Sequence, residues 1–175
     1  MIFQKTSIAG LLIIEPQKFS DERGFFFESY NQKVFAENGI NLNFVQDNHS
    51  HSFKNVLRGL HFQKNPYVQD KLIRVVSGEV FDVAVDIRPD SPTYGKYQSV
   101  ILSAENRQMF FIPAGFAHGF CVLSSEADFL YKCSSFYSKE SEGGLIWNDP
   151  DLNIPWPIKN PILSPKDLSW PKLKR

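Results

Sequence analysis

Cysteine is scarce in this chain. There are two, Cys121 and Cys133, in 175 residues and without Cys-x-x-Cys spacing, so they build neither a zinc ribbon nor a dithiol redox motif. Two buried thiols in a reducing compartment are the expected state. Long apolar runs are also missing. No stretch approaches the roughly 18–20 apolar residues of a membrane-spanning helix. Met1 to Ile14 lacks a charged start, a long apolar core and a small-residue cleavage site, so the sequence predicts a cytoplasmic protein with no membrane partner. Nor is there an excess of charge of one sign. Lys and Arg together number 19, as do Asp and Glu, for a formal net charge of zero. Nucleic acid is therefore not expected as a partner, because no global field attracts it. A local basic site for a small phosphate fits this balance.

Phenylalanine is abundant, with 16 residues clustered in strand-like runs. The apolar share of 42% is enough for a real core in a soluble protein, and residues 1–175 read as a single domain. Gly10 to Pro16 reads as a short strand stopped by proline. Asp21-Glu22-Arg23-Gly24 is a turn before a Phe-rich strand. Asn31 to Gly39 reads as the one short helix, capped by Asn31 and closed by Gly39. Phe44 to Ser52 begins as a strand and turns polar. In Glu79 to Arg88, Phe81, Val83, Val85 and Ile87 alternate with Asp82, Ala84 and Asp86, a strand period of two. Further strands are expected at Tyr97–Leu102, Arg107–Ile112, Gly119–Leu123 and Asp128–Phe136. From Glu140 the chain becomes proline-rich and irregular. Many short strands with little helix predict a mainly β sandwich or barrel. The polar strand faces point either to solvent or into a barrel that holds a polar ligand.

Val56 to Gly78 is the chemically dense stretch: a strand, a polar turn and a second strand. His61 lies in the first strand and Lys71 in the second. Taken alone, His61 also fits a buried histidine bonded to backbone. A neutral-range base and a fixed cation on neighbouring strands suit proton abstraction beside a carbonyl, the cation steadying the enolate oxygen.

Pro113-Ala114-Gly115-Phe116-Ala117-His118 fits P-x-G-x-x-H and resembles the second motif of cupin barrels. The first cupin motif carries H-x-H and then a Glu seven residues before a Gly. Here His61 is followed by Phe62 and Gln63, and Lys71 stands seven residues before Gly78. A cation at a ligand position repels a divalent metal, and two imidazoles without a carboxylate make a poor site. The expectation is a cupin-like, jelly-roll barrel that uses neither metal nor cofactor.

Ordered landmarks then cover essentially the whole chain. They are Asp21-x-Arg23-Gly24-x-Phe26-x-Glu28, Gln46-Asp47-Asn48, Leu57 to Gln63, Lys71 to Val75, Phe81 to Arg88, Ile112 to Phe120, Tyr131-Lys132-Cys133, Trp147 to Pro150 and Leu163-Ser164-x-Lys166-Asp167. By these the sequence resembles the dTDP-4-dehydrorhamnose 3,5-epimerase family of nucleotide-sugar epimerases. The resemblance implies a cofactor-independent enzyme acting on a dTDP-linked 4-keto-6-deoxyhexose, in the formation of dTDP-L-rhamnose. It implies His61 as base, Asp167 as its orienting partner, Tyr131 as acid and Lys71 as oxyanion stabiliser. Asp82 is expected to face the same cavity. Arg23, Arg58 and His118 are expected at the pyrophosphate, Glu28, Gln46 and Asn48 at base and sugar. Tyr137 is expected to stack on thymine, with Glu142 and Lys166 as further contacts. The resemblance also implies a homodimer joined by N-terminal strands, for which Leu11 to Ile14 is suited.

The family commonly reads Tyr-Lys-Cys-x-x-Tyr-Tyr, where this chain has Phe136 before Tyr137. That departure leaves a single-carbon epimerase or a ketoisomerase of a related pathway as the alternative. A metal-free cupin that only binds a sugar nucleotide, and a metal-dependent dioxygenase, are the readings from other classes.

Overall fold

The computed structural model describes residues 1–174. In chain order the strands are β1 (Ile2–Lys5), β2 (Leu12–Glu15), β3 (Phe19–Asp21), β4 (Gly24–Phe26), β5 (Gln46–Phe53), β6 (Leu57–Gln63) and β7 (Lys71–Ser77). They continue with β8 (Glu79–Asp86), β9 (Tyr97–Ser103), β10 (Met109–Ile112), β11 (Phe116–Val122), β12 (Glu126–Cys133) and β13 (Glu142–Gly144). One helix, α1 (Gln32–Glu37), separates β4 from β5. Asn31 caps it by accepting from the Lys33 and Val34 amides, which satisfies two of the first-turn donors.

Two antiparallel sheets face each other. The six-stranded sheet runs β1-β2-β10-β7-β12-β5, and the five-stranded sheet β13-β6-β11-β8-β9. Between them lies a core with Ile73, Val75, Phe110 and Phe129 from one sheet and Val80, Ala84, Leu102, Phe116, Phe120 and Val122 from the other. Fully burying each of these side chains other than that of Ala84 contributes roughly 1.5–3 kcal/mol. This is the barrel that the cupin-like motifs predict.

Strand β8 carries its polar face inward. Asp82 is fully buried with Val80 and Ala84, while Phe81, Val83 and Val85 face away from the barrel interior. There they meet Leu145, Leu152, Leu173 and Trp156 of the C-terminal segment. Of the two orientations open from the sequence, Asp82 takes the one into the barrel. The segment after Glu140, irregular as expected, is therefore the outer cover of the five-stranded sheet. The six-stranded sheet is covered in part by α1, whose Phe35 packs among Ile14, Ile40, Leu72, Met109 and Phe111.

Three expectations change. His61 and Lys71 do not lie on neighbouring strands: β6 and β7 follow each other in sequence but belong to opposite sheets. The chain crosses between the layers at 64–70, so the two side chains face each other instead of standing side by side. Strand β2 is already paired on both sides, by β1 and β10. Leu11 and Ile14 are buried within this chain, so the free N-terminal edge belongs to β1. Strand β5 also continues through its polar part to Phe53, because Gln46 to Phe53 pair residue for residue with β12.

Candidate active site

A cavity of about 860 Å³ opens between the sheets. It is lined by Arg58, His61, Lys71, His118, Tyr131, Tyr137, Glu142, Lys166 and Asp167, together with the apolar Phe120, Phe129, Ile162 and Leu163. Strand alternation explains the set. On β7, Lys71 shares the inward face of Ile73 and Val75; on β12, Tyr131 shares that of Ala127 and Phe129. Apolar side chains fill one half of the barrel and these polar ones leave the other half open.

His61 and His118 sit directly opposite each other on β6 and β11. Each is paired with a buried carboxylate. His61 Nε2 lies 2.5 Å from Asp167 Oδ1, and His118 Nε2 lies 2.9 Å and 3.0 Å from the two oxygens of Asp82. Burial works to raise the Asp167 carboxyl. Its bond to His61, the His61 charge, the Ser164 hydroxyl and Lys166 outweigh this and hold it below the usual carboxylate range. With Nε2 committed to Asp167, Nδ1 is the His61 nitrogen left to take a proton from a ligand.

Burial pushes the His118 imidazole toward the neutral form, with Lys71 and His61 adding to the effect against the pull of Asp82. Its ring stacks on Phe129 at 6.0 Å between centroids. His118 thus stands buried beside His61 and bonded to Asp82, inclined to the neutral form rather than to a fixed charge.

Across the cavity, Lys71 Nζ stands 5.9 Å from the centre of the Tyr131 ring. Burial pushes the Lys71 ammonium down, opposed by Cys133, Asp82 and Glu142. Burial, with Cys133 adding, pushes the Tyr131 phenol up to about 12. Tyr131 thus keeps its proton at neutral pH and can donate it. Asn48 lies directly across from Tyr131 on β5. Its amide donates to Cys133 Sγ at 3.6 Å and accepts from Gln46 Nε2 at 2.9 Å; Asn48 lines a smaller pocket that shares Tyr131 with the cavity.

Toward the mouth, Tyr137 is 53% exposed, leaving its ring free to stack. Gln46 Oε1 accepts from the Tyr137 amide. Lys166 Nζ meets Glu142 Oε1 at 2.6 Å, and Arg58 Nε donates to Ser52 Oγ at 3.0 Å. Four expected residues do not line the cavity: Gln46, Asn48, Arg23 and Glu28. Arg23, in the β3–β4 turn, is exposed and pairs with Asp21. Glu28 accepts from Asn31 Nδ2. Neither lines the cavity of its own chain.

Gln63 was visible in the sequence only as the replaced second histidine of H-x-H. Its amide donates to the carbonyls of Tyr67 and Phe136 and accepts from the Ser138 amide. The position of a lost ligand thus holds the segment that carries Tyr137. Trp170, which no motif marks, lies edge-on to His61 at 6.3 Å between ring centres. Among the described residues no group of three or more His, Cys, Asp or Glu side chains is placed to hold a metal ion. Lys71 occupies the position where a cupin ligand would stand.

The fold and these groups define a cupin-like barrel equipped for acid–base chemistry. A family model described as dTDP-4-dehydrorhamnose 3,5-epimerase matches residues 5–175. The chain belongs to that family. It is 62% identical over 169 residues to a dTDP-4-dehydrorhamnose 3,5-epimerase of Shigella flexneri, covering 96% of this chain and 93% of the relative. The crystal structure of the enzyme of that name from Elizabethkingia anophelis NUHP1 superposes with a TM-score of 0.95 at 52% identity, covering 98% and 96% of the two chains. A dTDP-6-deoxy-D-glucose-3,5-epimerase of Legionella pneumophila, solved in complex with dTDP-4-keto-L-rhamnose, gives 0.95 at 53% identity, covering 98% and 92%.

The opposed shifts of Lys71 and Tyr131 separate their effects on pH dependence. As pH rises, Lys71 loses its charge at a lower pH than an exposed lysine, while Tyr131 is still protonated. An alkaline fall in kcat is expected to follow Lys71. In Lys71→Arg, whose guanidinium stays charged, the residual activity should keep its plateau to higher pH. A fall at the wild-type position in that variant assigns the limb to another group.

Proposed function

We propose that this chain epimerises C3 and C5 of dTDP-4-dehydro-6-deoxy-D-glucose, giving dTDP-4-dehydro-L-rhamnose. The observation that carries the reading is the His61–Asp167 pair on one wall of a cavity whose other wall presents Lys71 and Tyr131. The hydrogens at C3 and C5 flank the C4 ketone, so removing either as a proton leaves its electron pair in an enolate. His61 Nδ1 takes that proton, and Asp167 holds the ring and stabilises the imidazolium. The C4 oxygen gains negative charge, which the desolvated Lys71 ammonium offsets more strongly than it would in water. Tyr131 returns a proton to the opposite face of the same carbon, inverting it. Exchange with water then reprotonates the phenol and discharges the imidazolium. Two such cycles, one per carbon, complete the reaction with no net gain or loss of protons.

Arg58 is assigned to the diphosphate, which its guanidinium can bond through two nitrogens. Tyr137 is assigned to the thymine face, and Gln46, Asn48, Glu142 and Lys166 to polar groups of the nucleotide and sugar. The reading includes one domain spanning the chain, a cytoplasmic location and a homodimer. Exposed Phe19, Phe25 and Phe26 on the β3–β4 hairpin support association with a second copy. Arg23 and Glu28, outside the lining of their own cavity, are assigned to the ligand of the second chain.

Phe136 replaces the first tyrosine of the Tyr-Tyr pair, and is 63% exposed and absent from the cavity lining. This favours the double epimerase over the single-carbon alternative. Phe136→Tyr is expected to leave the ratio of C3 to C5 exchange unchanged, measured by proton NMR in D2O. A changed ratio gives that position a part in choosing the carbon.

His61→Ala is expected to lower kcat about 100-fold or more, the usual cost of removing a general base, while dTDP binding by calorimetry stays within about threefold. A loss below about tenfold with binding intact sinks the catalytic assignment and leaves a sugar-nucleotide binder.

A further inference from the structure

Asp167 is not part of the barrel. It sits in a turn, with its amide donating to Ser164 Oγ, on a tail that has no strand of its own. Upstream, Ile162 is fixed to the barrel by its bonds with Asn55 and Leu57. Downstream, the Ile146 amide donates to Pro171 O and the Leu173 amide to Asp149 Oδ2. Between these staples, Trp170 lies on β13. A Cβ on Gly144 would stand 2.6 Å from the indole Nε1, so the ring occupies the space that the missing side chain leaves. Gly144 is itself the Cα partner of His61. One face of Gly144 thus receives the tail, and the strand beside it carries the base.

We infer that Trp170, seated on Gly144, is the positioning residue that sets Asp167 against His61. The inference rests on the reading of His61 and Asp167 as the base and its orienting carboxylate. The indole N–H is buried without a partner, so the ring acts by shape and contact alone. Only Leu168 and Ser169 separate Trp170 from Asp167, and a shift of the ring carries the carboxylate with it. Proton abstraction depends on such placement to a fraction of an ångström. Lys166 keeps a separate anchor on Glu142, so substrate affinity does not depend on the indole.

The test is steady-state kinetics on Trp170→Ala, Trp170→Phe, Gly144→Ala, Asp167→Asn and the double variant Asp167→Asn/Trp170→Ala, each checked for folding by circular dichroism. Trp170→Ala is expected to lower kcat at least tenfold, with KM within about twofold. Trp170→Phe keeps a flat but smaller ring on Gly144 and removes the unpartnered N–H with the rest of the second ring, so it should retain most of kcat, losing less than about fivefold. Gly144→Ala crowds the ring and should reproduce the alanine loss, which covers the case where Trp170→Ala fails to fold. The double variant should be no slower than Asp167→Asn alone, because both substitutions remove the same contact. Losses that multiply, a loss confined to KM, or a full loss in Trp170→Phe each overturn the inference. An Asp167→Asn variant with wild-type kcat instead overturns the reading of the dyad, so the two failures are told apart.

Discussion

The site depends on one contact between two pieces of chain of different structural kind. His61 belongs to a strand of the barrel, and Asp167 to a tail that joins no sheet. A histidine on a barrel wall is an ordinary feature. With its Nε2 held by a carboxylate it has a fixed ring orientation and one free nitrogen. Much of the C-terminal segment is arranged to deliver that carboxylate. Leu152 and Leu173 cover the outer face of the five-stranded sheet, and Asp149 holds the Leu173 amide. The tail then returns over β13 with Lys166 on Glu142 and Trp170 on Gly144.

The barrel makes room for chemistry by giving up part of its own interior. Inward positions on one half are apolar and close-packed, and those on the other half are Lys71, Tyr131, His118 and Asp82. Burying such groups is costly unless they are paired. His118 and Asp82 pair with each other, and His61 with Asp167. Lys71 has no carboxylate within salt-bridge distance among the described residues, and burial lowers its affinity for a proton. A cation in the cavity without a close counter-charge suits the proposed role of stabilising negative charge that develops on a ligand. Its cost to the fold is offset by the Phe-rich half of the same barrel.

Much of this was legible in the sequence. The period-two strand at Glu79 to Arg88 is visible in its alternation, and P-x-G-x-x-H with Lys71 at a ligand position points to a barrel with altered chemistry. What the sequence does not carry is the pairing of layers. Consecutive strands β6 and β7 look like neighbours, yet the crossover at 64–70 puts them in opposite sheets, a matter of topology rather than of local pattern. The surroundings of His118 likewise depend on burial and on Asp82, 36 positions away. Trp170 has no sequence signal, because a tryptophan beside proline in irregular chain carries no periodicity; only its seat on Gly144 reveals it. Arg23 and Glu28 match the family pattern but stand outside the lining of their own cavity, a placement that sequence spacing does not carry.

The most direct measurement of the central claim is proton NMR of dTDP-4-dehydro-6-deoxy-D-glucose incubated with the EDTA-treated protein in D2O. The account predicts enzyme-dependent loss of both the C3 and C5 proton signals without added metal. Both protons retained, while the nucleotide sugar still binds, would contradict it.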